Sequence, residues 1–512
     1  MVRGRLSLRR FARGLSGHQI GRAAGEAARL TLDGRARPPT QTFSIFATLY
    51  MTSFLLDITE KWQYPGHALL ALIGVPVIAA IGATQWRFAA FLVLSTLHYL
   101  STTFPDVANH NNLFLLCNLA LLAAILHSTL APRDGRGHGD FFEASKAPLR
   151  VTLALVYFFT GFHKLNWDFF DPMVGCAATF SKSLLQLVLM PTSPVRVTSA
   201  VRDVALPEFA IVGMAVFVLV WELGSGLALW LRRLQLPILL VCLAMHLVLA
   251  QLAFFDFSSL AFALFLVFVP GAYWNLITES PIRVGPIRLR RDMAYLIINA
   301  IAAVAAGILF AIYGYREPVH RMQGGLFALA SIIFLWPWLR QILAKGRRVR
   351  WEGVPMWGAH VSRWWVVFPL FIAFFAMNPY LGLRTAGTFT MFSNLRTEGD
   401  RSNHWLLGSN PLKLWGYQED LVEIVDIDSK HQGRFRLANH LLPVVEFKKS
   451  IHQWREMGLD GLDAVFVYGG RVYRTDDVVR NNPWNIRGRT LEMFLLDFRV
   501  VQESPTPNAC RW

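Results

Sequence analysis

The chain has 512 residues, 54% of them hydrophobic and only 16% charged. A soluble domain carries about 25% charged residues, and here the deficit is concentrated between Thr42 and Leu381. That excludes a single soluble enzyme, a disordered chain and a secreted disulfide scaffold. The expected fold is mainly α: a polytopic transmembrane bundle of about 9–11 helices with a small C-terminal α+β extramembrane domain.

The formal net charge of +16 comes from 50 Lys+Arg against 34 Asp+Glu. The basic residues lie between apolar runs, where the lipid bilayer's anionic cytoplasmic leaflet is the partner. No basic stripe interleaved with exposed aromatics is present, so nucleic-acid binding is set aside. Four cysteines are too few for a disulfide framework, and no pair has metal-ligand spacing. Cys117 and Cys242 sit in apolar runs and read as small hydrophobes. No metal is expected.

Residues 1–41 carry nine arginines and read as a cytoplasmic amphipathic segment on the leaflet, although an organellar transit peptide has a similar composition. No secretory signal is recognisable there. Apolar runs long enough for spans follow at 42–56, 66–84, 88–104, 111–131, 149–165, 209–231, 236–256, 258–276, 293–315, 324–343 and 364–381. With the N-terminus inside, the inner connections hold about 24 Lys+Arg and the outer ones about 7. Dropping the first span reverses every later loop, so an odd number of crossings is expected. That puts the C-terminal domain on the external side of what is read as the cell membrane.

Beyond Leu381 the chain turns polar. LVEIVDI (421–427), AVFVYGG with RVYRT (464–475) and MFLLDFRVV (493–501) read as strands, and 441–457 as a helix. The expected domains are thus 1–41, 42–381 and 382–512.

Ionisable residues at membrane depth are functional candidates. Lys164, in VYFFTGFHKLNWDFF (156–170), closes the fifth run. It is either a snorkelling lysine paired with Asp168 at i+4, or a desolvated amine poised as a general base among Phe158, Phe159, Phe162 and Phe169. His110 lies among Asn109, Asn111 and Asn112, a polar cluster suited to orienting a ligand or a developing oxyanion. His246 is deep in CLAMHLVLAQLAFF (242–255), with Gln251 five residues on, and Glu222 lies in VLVWELGSG (218–226). For these last two, interhelical hydrogen bonding is the alternative reading. Glu222 needs a partner, which Lys164 or a histidine can supply.

NHNNLFLL around His110, FTGFHKLNWDF around Lys164 and MHLVLAQLAFFDFSSL around His246, in that order, resemble the three motif regions of the vitamin K-dependent γ-carboxylase-like (HTTM) membrane family. The likeness covers roughly residues 40 to 280 and continues weakly to MFSNLRTEG (391–399), similar to the start of the outer domain in bacterial members. The resemblance implies that Lys164 deprotonates a reduced vitamin K or menaquinone-type naphthoquinone. It further implies that O2 is consumed, that a γ-proton is removed from a glutamate side chain, that CO2 traps the carbanion, and that the quinone leaves as its epoxide. It gives His110 a part in the carboxylation step and His246 a contact with the quinone. Asn109 and Glu222, read from the residues themselves, are further candidates for binding it. The implied partners are a membrane quinone and a glutamate-containing protein or peptide.

Two positions depart from the family pattern: His163 precedes the lysine, and Asn166 stands where the animal carboxylases have an aspartate. The outer domain is also shorter than theirs. The competing functions are a transporter that uses the buried ionisable groups for coupling, although no inverted repeat is visible, and a non-catalytic membrane scaffold.

Overall fold

The computed structural model describes residues 41–60, 84–104, 108–130, 141–189, 206–252, 254–313, 316–345, 353–358, 363–409, 412–427, 440–486, 488–502 and 506–510. The expected Arg-rich segment (1–41, except Gln41) and the expected span 66–84 (except Thr84) lie outside the described residues.

The chain is mainly helical. α1 (Gln41–Glu60), α2 (Gln85–Thr102), α3 (Asn109–Leu130) and α4 (Phe141–Phe162) come first. A four-residue α5 (Trp167–Phe170) leads to α6 (Cys176–Leu189), α7 (Glu208–Ala228), α8 (Gln235–Gln251), α9 (Phe255–Phe265) and α10 (Gly271–Thr278). A short hairpin, β1 (Ile282–Val284) and β2 (Ile287–Leu289), precedes α11 (Arg291–Tyr313), α12 (Arg316–Lys345) and α13 (Val367–Leu381).

Among the described residues six helical stretches are long and apolar enough to cross a membrane: Thr42–Thr59, Asn109–Leu130, Glu208–Ala228, Arg291–Ile312, Val319–Ala344 and Arg363–Leu381. Two shorter apolar stretches, Gln235–Gln251 and Phe255–Phe268, accompany them.

α1 is apolar nearly all round, and such a helix must be buried on every side. Phe46, Tyr50 and Leu56 are fully buried, and α9 and α11 pack along it. The outer helices instead expose Leu94, Leu97, Phe217, Val220, Ile301, Ile308 and Leu370. Exposed apolar side chains on helices of this length suggest insertion into a membrane.

The expected run 258–276 is interrupted. Val269 is extended (φ −78°, ψ 122°) immediately before Pro270, which separates the α9 segment from α10. The residue before a proline is pushed out of the helical region, and proline itself has no N–H to give. The expected run 149–165 starts inside α4, whose first turns carry Glu143, Lys146 and Arg150, and ends three residues beyond it.

The C-terminal part builds an antiparallel sheet in the order β6-β5-β3-β4-β7. Its strands are β3 (Leu421–Ile427), β4 (His440–Pro443), β5 (Ala464–Tyr468), β6 (Arg471–Thr475) and β7 (Val501–Gln502). α14 (Val444–Glu456) belongs to the same core, where Phe447, Ile451 and Trp454 join Val422, Ile424 and Phe466. The expected strand 493–501 is only partly one. Thr490 caps a short helix, α15 (Leu491–Leu495), by accepting the Met493 N–H, and only Val501–Gln502 joins the sheet.

Two devices tie this part to the helices. Asp497 O accepts N–H bonds from Thr385 and Ala386 just beyond α13, and a disulfide joins Cys176 at the start of α6 to Cys510. Cys117 and Cys242 are free and buried, as small hydrophobes in an apolar run should be.

Candidate functional site

α4 and α7 approach closely because each has a glycine at the crossing. A Cβ on Gly161 would lie 2.5 Å from Leu223 N, and one on Gly226 would lie 2.5 Å from Phe158 N. Small residues at such a crossing let two backbones touch. The crossing brings Glu222 to the end of α4, where the chain leaves the helix through His163 and Lys164. Lys164 is only 2% exposed, and its Nζ lies 2.6 Å from Glu222 Oε2. It also donates to Thr160 O (3.3 Å) and Met391 O (3.2 Å), and lies over the Phe169 ring at 5.9 Å.

The i+4 pairing with Asp168 does not form. Asp168 Oδ2 instead accepts from Asn403 Nδ2 and from the backbone N–H of Asn508, each at 2.8 Å. Asn166 accepts from Phe169 N to cap α5, while its Nδ2 donates to His163 O (3.0 Å) and Ser393 O (2.7 Å). An aspartate could make the first contact but neither of the other two.

Residues 387–395 cover the amine. Within them Phe389, Phe392 and Asn394 hold φ of 60°, 53° and 53°. Left-handed backbone at non-glycine residues costs about 1–3 kcal/mol each and gathers at functional sites. Side chains hold the segment in place: Asn112 Nδ2 donates to Gly387 O (2.9 Å), and Arg499 donates to Leu395 O (2.6 Å) and Thr390 O (3.4 Å). Burial lowers the pKa of the Arg499 guanidinium, with the Glu398 and Tyr380 charges opposing.

His404 packs on the Phe162 ring at 4.6 Å. Its Nδ1 accepts from Leu406 N, so Nε2 carries the proton and donates to Phe162 O at 3.0 Å. Burial lowers the His404 pKa, and the bond to Phe162 O works the other way.

His246 is 1% exposed on α8. Its Nε2 is 2.5 Å from Tyr157 Oη and its Nδ1 3.4 Å from Ser258 Oγ. The rings of Phe257, Phe265 and Trp221 stand 5.2, 5.8 and 6.3 Å from the imidazole. Gln251 turns back to its own helix at Leu247 O.

His110 opens α3 with its Nε2 3.1 Å from Asp57 Oδ1 and 2.9 Å from Asp256 Oδ2. Asn111 donates to the same Asp57 oxygen (2.8 Å), and Tyr99 Oη donates to the other (2.7 Å). Asn109 Oδ1 is buried with no hydrogen-bond partner among the described residues.

One ring links the two imidazoles. The Phe257 ring lies near both imidazoles, 6.5 Å from His110 and 5.2 Å from His246. Tyr157 lies on α4 and Trp221 on α7, both beside His246; Glu222 follows Trp221 on α7, and Lys164 lies just past the end of α4. A cavity of about 880 Å³ opens elsewhere, on the sheet, lined by Asp426, Asp463, Tyr473, Arg474 and Arg480 among others, and Lys164, His110 and His246 take no part in it.

Sequence reasoning missed Asp57, Asp256, Tyr157 and the cover over Lys164. Asp57 and Asp256 each interrupt an apolar run, and that was a usable signal. Tyr157 and residues 387–395 carry no such mark. Compared with protein-family models, curated proteins and solved structures, the chain finds no match.

Proposed function

We propose that the chain is a polytopic membrane enzyme of the vitamin K-dependent γ-carboxylase-like kind, oxidising a reduced naphthoquinone with O2 to its epoxide. The observation that carries this reading is the Lys164 amine, buried at a helix end, 2.6 Å from Glu222 Oε2 and roofed by Met391 O.

The surroundings that support this reading are aromatic: Trp221, Phe257 and Phe265 stand around one imidazole–phenol pair. When bound, the reduced quinone would supply the electrons that reduce O2. Lys164 would take the proton from a quinol hydroxyl. Ammonium–carboxylate and amine–carboxylic acid forms of the Lys164–Glu222 pair differ by one proton moved between them, and in the second form Nζ offers a lone pair. Tyr157 and His246 would orient the ring. Residues 387–395 would keep water from the amine, which strengthens every charge interaction beneath them. His110 is the group assigned to a coupled carboxylation, with CO2 and a glutamate-containing peptide as the further reactants.

The membrane reading rests on the six apolar helices and the exposed apolar belt. An external C-terminal part is supported by the arginine bias of the inner connections. The Cys176–Cys510 disulfide points the same way, since such bonds persist in oxidising compartments.

The test supplies purified protein with reduced menaquinone or vitamin K and O2, and separates epoxide from plain quinone by chromatography. Labelled CO2 and a glutamate peptide are present in parallel. Epoxide with fixed label supports the coupled reaction, and epoxide alone supports oxygenase chemistry without carboxylation. Failure to form epoxide with any naphthoquinol removes the reading.

A further inference from the structure

We infer that Asp57, His110 and Asp256 form a binding site for a divalent first-row transition ion. The three residues come from helices far apart in the chain: Asp57 from the last turn of α1, His110 from the first turn of α3, and Asp256 from the first turn of α9. One ligand atom from each lies within 4.8 Å of the others. Both carboxylates are nearly inaccessible, at 4% and 3% side-chain exposure, while His110 at 17% leaves an entry path.

The two carboxylates converge on one atom. Both carboxylate oxygens approach the same imidazole nitrogen, Nε2, at 3.1 and 2.9 Å. A neutral or protonated ring carries at most one hydrogen on Nε2, so a linear bond reaches only one of the two oxygens. A cation between the three atoms would be ligated by all of them. Bonds of about 2.1 Å at right angles hold their donor atoms about 3.0 Å apart, and the two observed separations bracket that value.

The surroundings are those of a metal ligand shell. Carboxylate ligands are held by outer hydrogen bonds that fix their orientation. Asn111 Nδ2 at 2.8 Å and Tyr99 Oη at 2.7 Å donate to Asp57 in this way. Each carboxylate oxygen has two lone-pair sites, so Oδ1 can take the Asn111 bond and still ligate. Asp256 lies in the first turn of α9, where the helix dipole favours the ionised carboxylate that metal binding requires. The imidazole selects against Mg²⁺ and Ca²⁺, and two carboxylates with one imidazole suit Mn²⁺, Fe²⁺, Co²⁺ or Zn²⁺. The site does not rest on the quinone reading, with which it shares only His110, the group assigned there to carboxylation.

The test uses the full chain, stripped with a chelator and repurified without quinone. Co²⁺ is titrated while its visible d–d absorption is followed, and bound metal per chain is measured by mass spectrometry. The wild type is expected to bind one ion, Asp256→Asn to weaken binding at least tenfold, and Tyr99→Phe to weaken it by about tenfold through the outer contact. No d–d absorption in the wild type, or equal affinity in Asp256→Asn, overturns the site. Should Asp256→Asn fail to fold, the wild type decides alone. Its Mn²⁺-loaded form must show nitrogen coupling from one imidazole in pulsed electron paramagnetic resonance, and absence of that coupling overturns the site. None of these readouts depends on quinol oxidation, so failure here leaves the epoxidase reading standing, and the reverse holds too.

Discussion

Replacing Gly161 by alanine strikes the contact that places Glu222 beside Lys164. The new methyl carbon would sit 2.5 Å from Leu223 N, 2.8 Å from its Cβ and 2.9 Å from its Cα. Two of these are backbone atoms of α7, so no side-chain rotation relieves the clash. Ordinary contact needs about 3.5 Å, so the helices must part by about 1 Å. The 2.6 Å Lys164–Glu222 separation then grows to about 3.6 Å, beyond hydrogen-bond reach. Forced overpacking costs about 1–3 kcal/mol, and a misplacement of this size costs up to about 100-fold in rate. The expected outcome is a lower melting temperature together with strongly reduced epoxide formation. Gly213→Ala is the control, because nothing lies within 4 Å of that position on the same helix. If Gly161→Ala melts and turns over like the Gly213 variant, the close crossing does not position the pair.

Asn166→Asp keeps the cap on α5 but sets a carboxylate against His163 O and Ser393 O. It should cost about 1–3 kcal/mol and speed proteolysis within 387–395, and cleavage at the wild-type rate would contradict this. The Cys176–Cys510 bond spans 334 residues, and Cys176→Ser should lower stability by roughly 2–5 kcal/mol. Alkylation of both thiols in unreduced wild type would show that the bond is absent. For His404, burial lowers the folded pKa below the unfolded value of about 6.5. The folded state therefore binds fewer protons. Its stability is intact above about pH 6.5 and falls as pH drops from there through the depressed folded value. His404→Gln should flatten that acid limb in thermal melts between about pH 7 and 5, and an unchanged limb would exclude His404 as its source.

The apolar runs were legible because a span must be long and uncharged. Among the described residues most helices between Gln41 and Leu381 overlap them, six are long and apolar enough to cross a membrane, and α6 falls in none of them. Pro270 defeated one run, since a local backbone restriction is invisible to an average over twenty residues. The candidate residues were legible one at a time, because an ionisable group in an apolar run is conspicuous. Their partners were not. Lys164 meets Glu222 only because Gly161 faces Leu223 and Gly226 faces Phe158, and His110 meets Asp57 and Asp256 only because three helix ends converge. Both are facts of three-dimensional packing. Thr490 shows the same limit on a smaller scale: one capping hydroxyl turned the first residues of an apparent strand into a helix.

The central claim is that the buried Lys164 amine is the base that starts quinol oxidation. It is tested most directly by single-turnover epoxide formation in wild type and Lys164→Ala, at matched folding and matched quinol binding. The account predicts a burst of epoxide from the wild type and a loss of at least about 100-fold in the variant. Equal bursts from both proteins would contradict it.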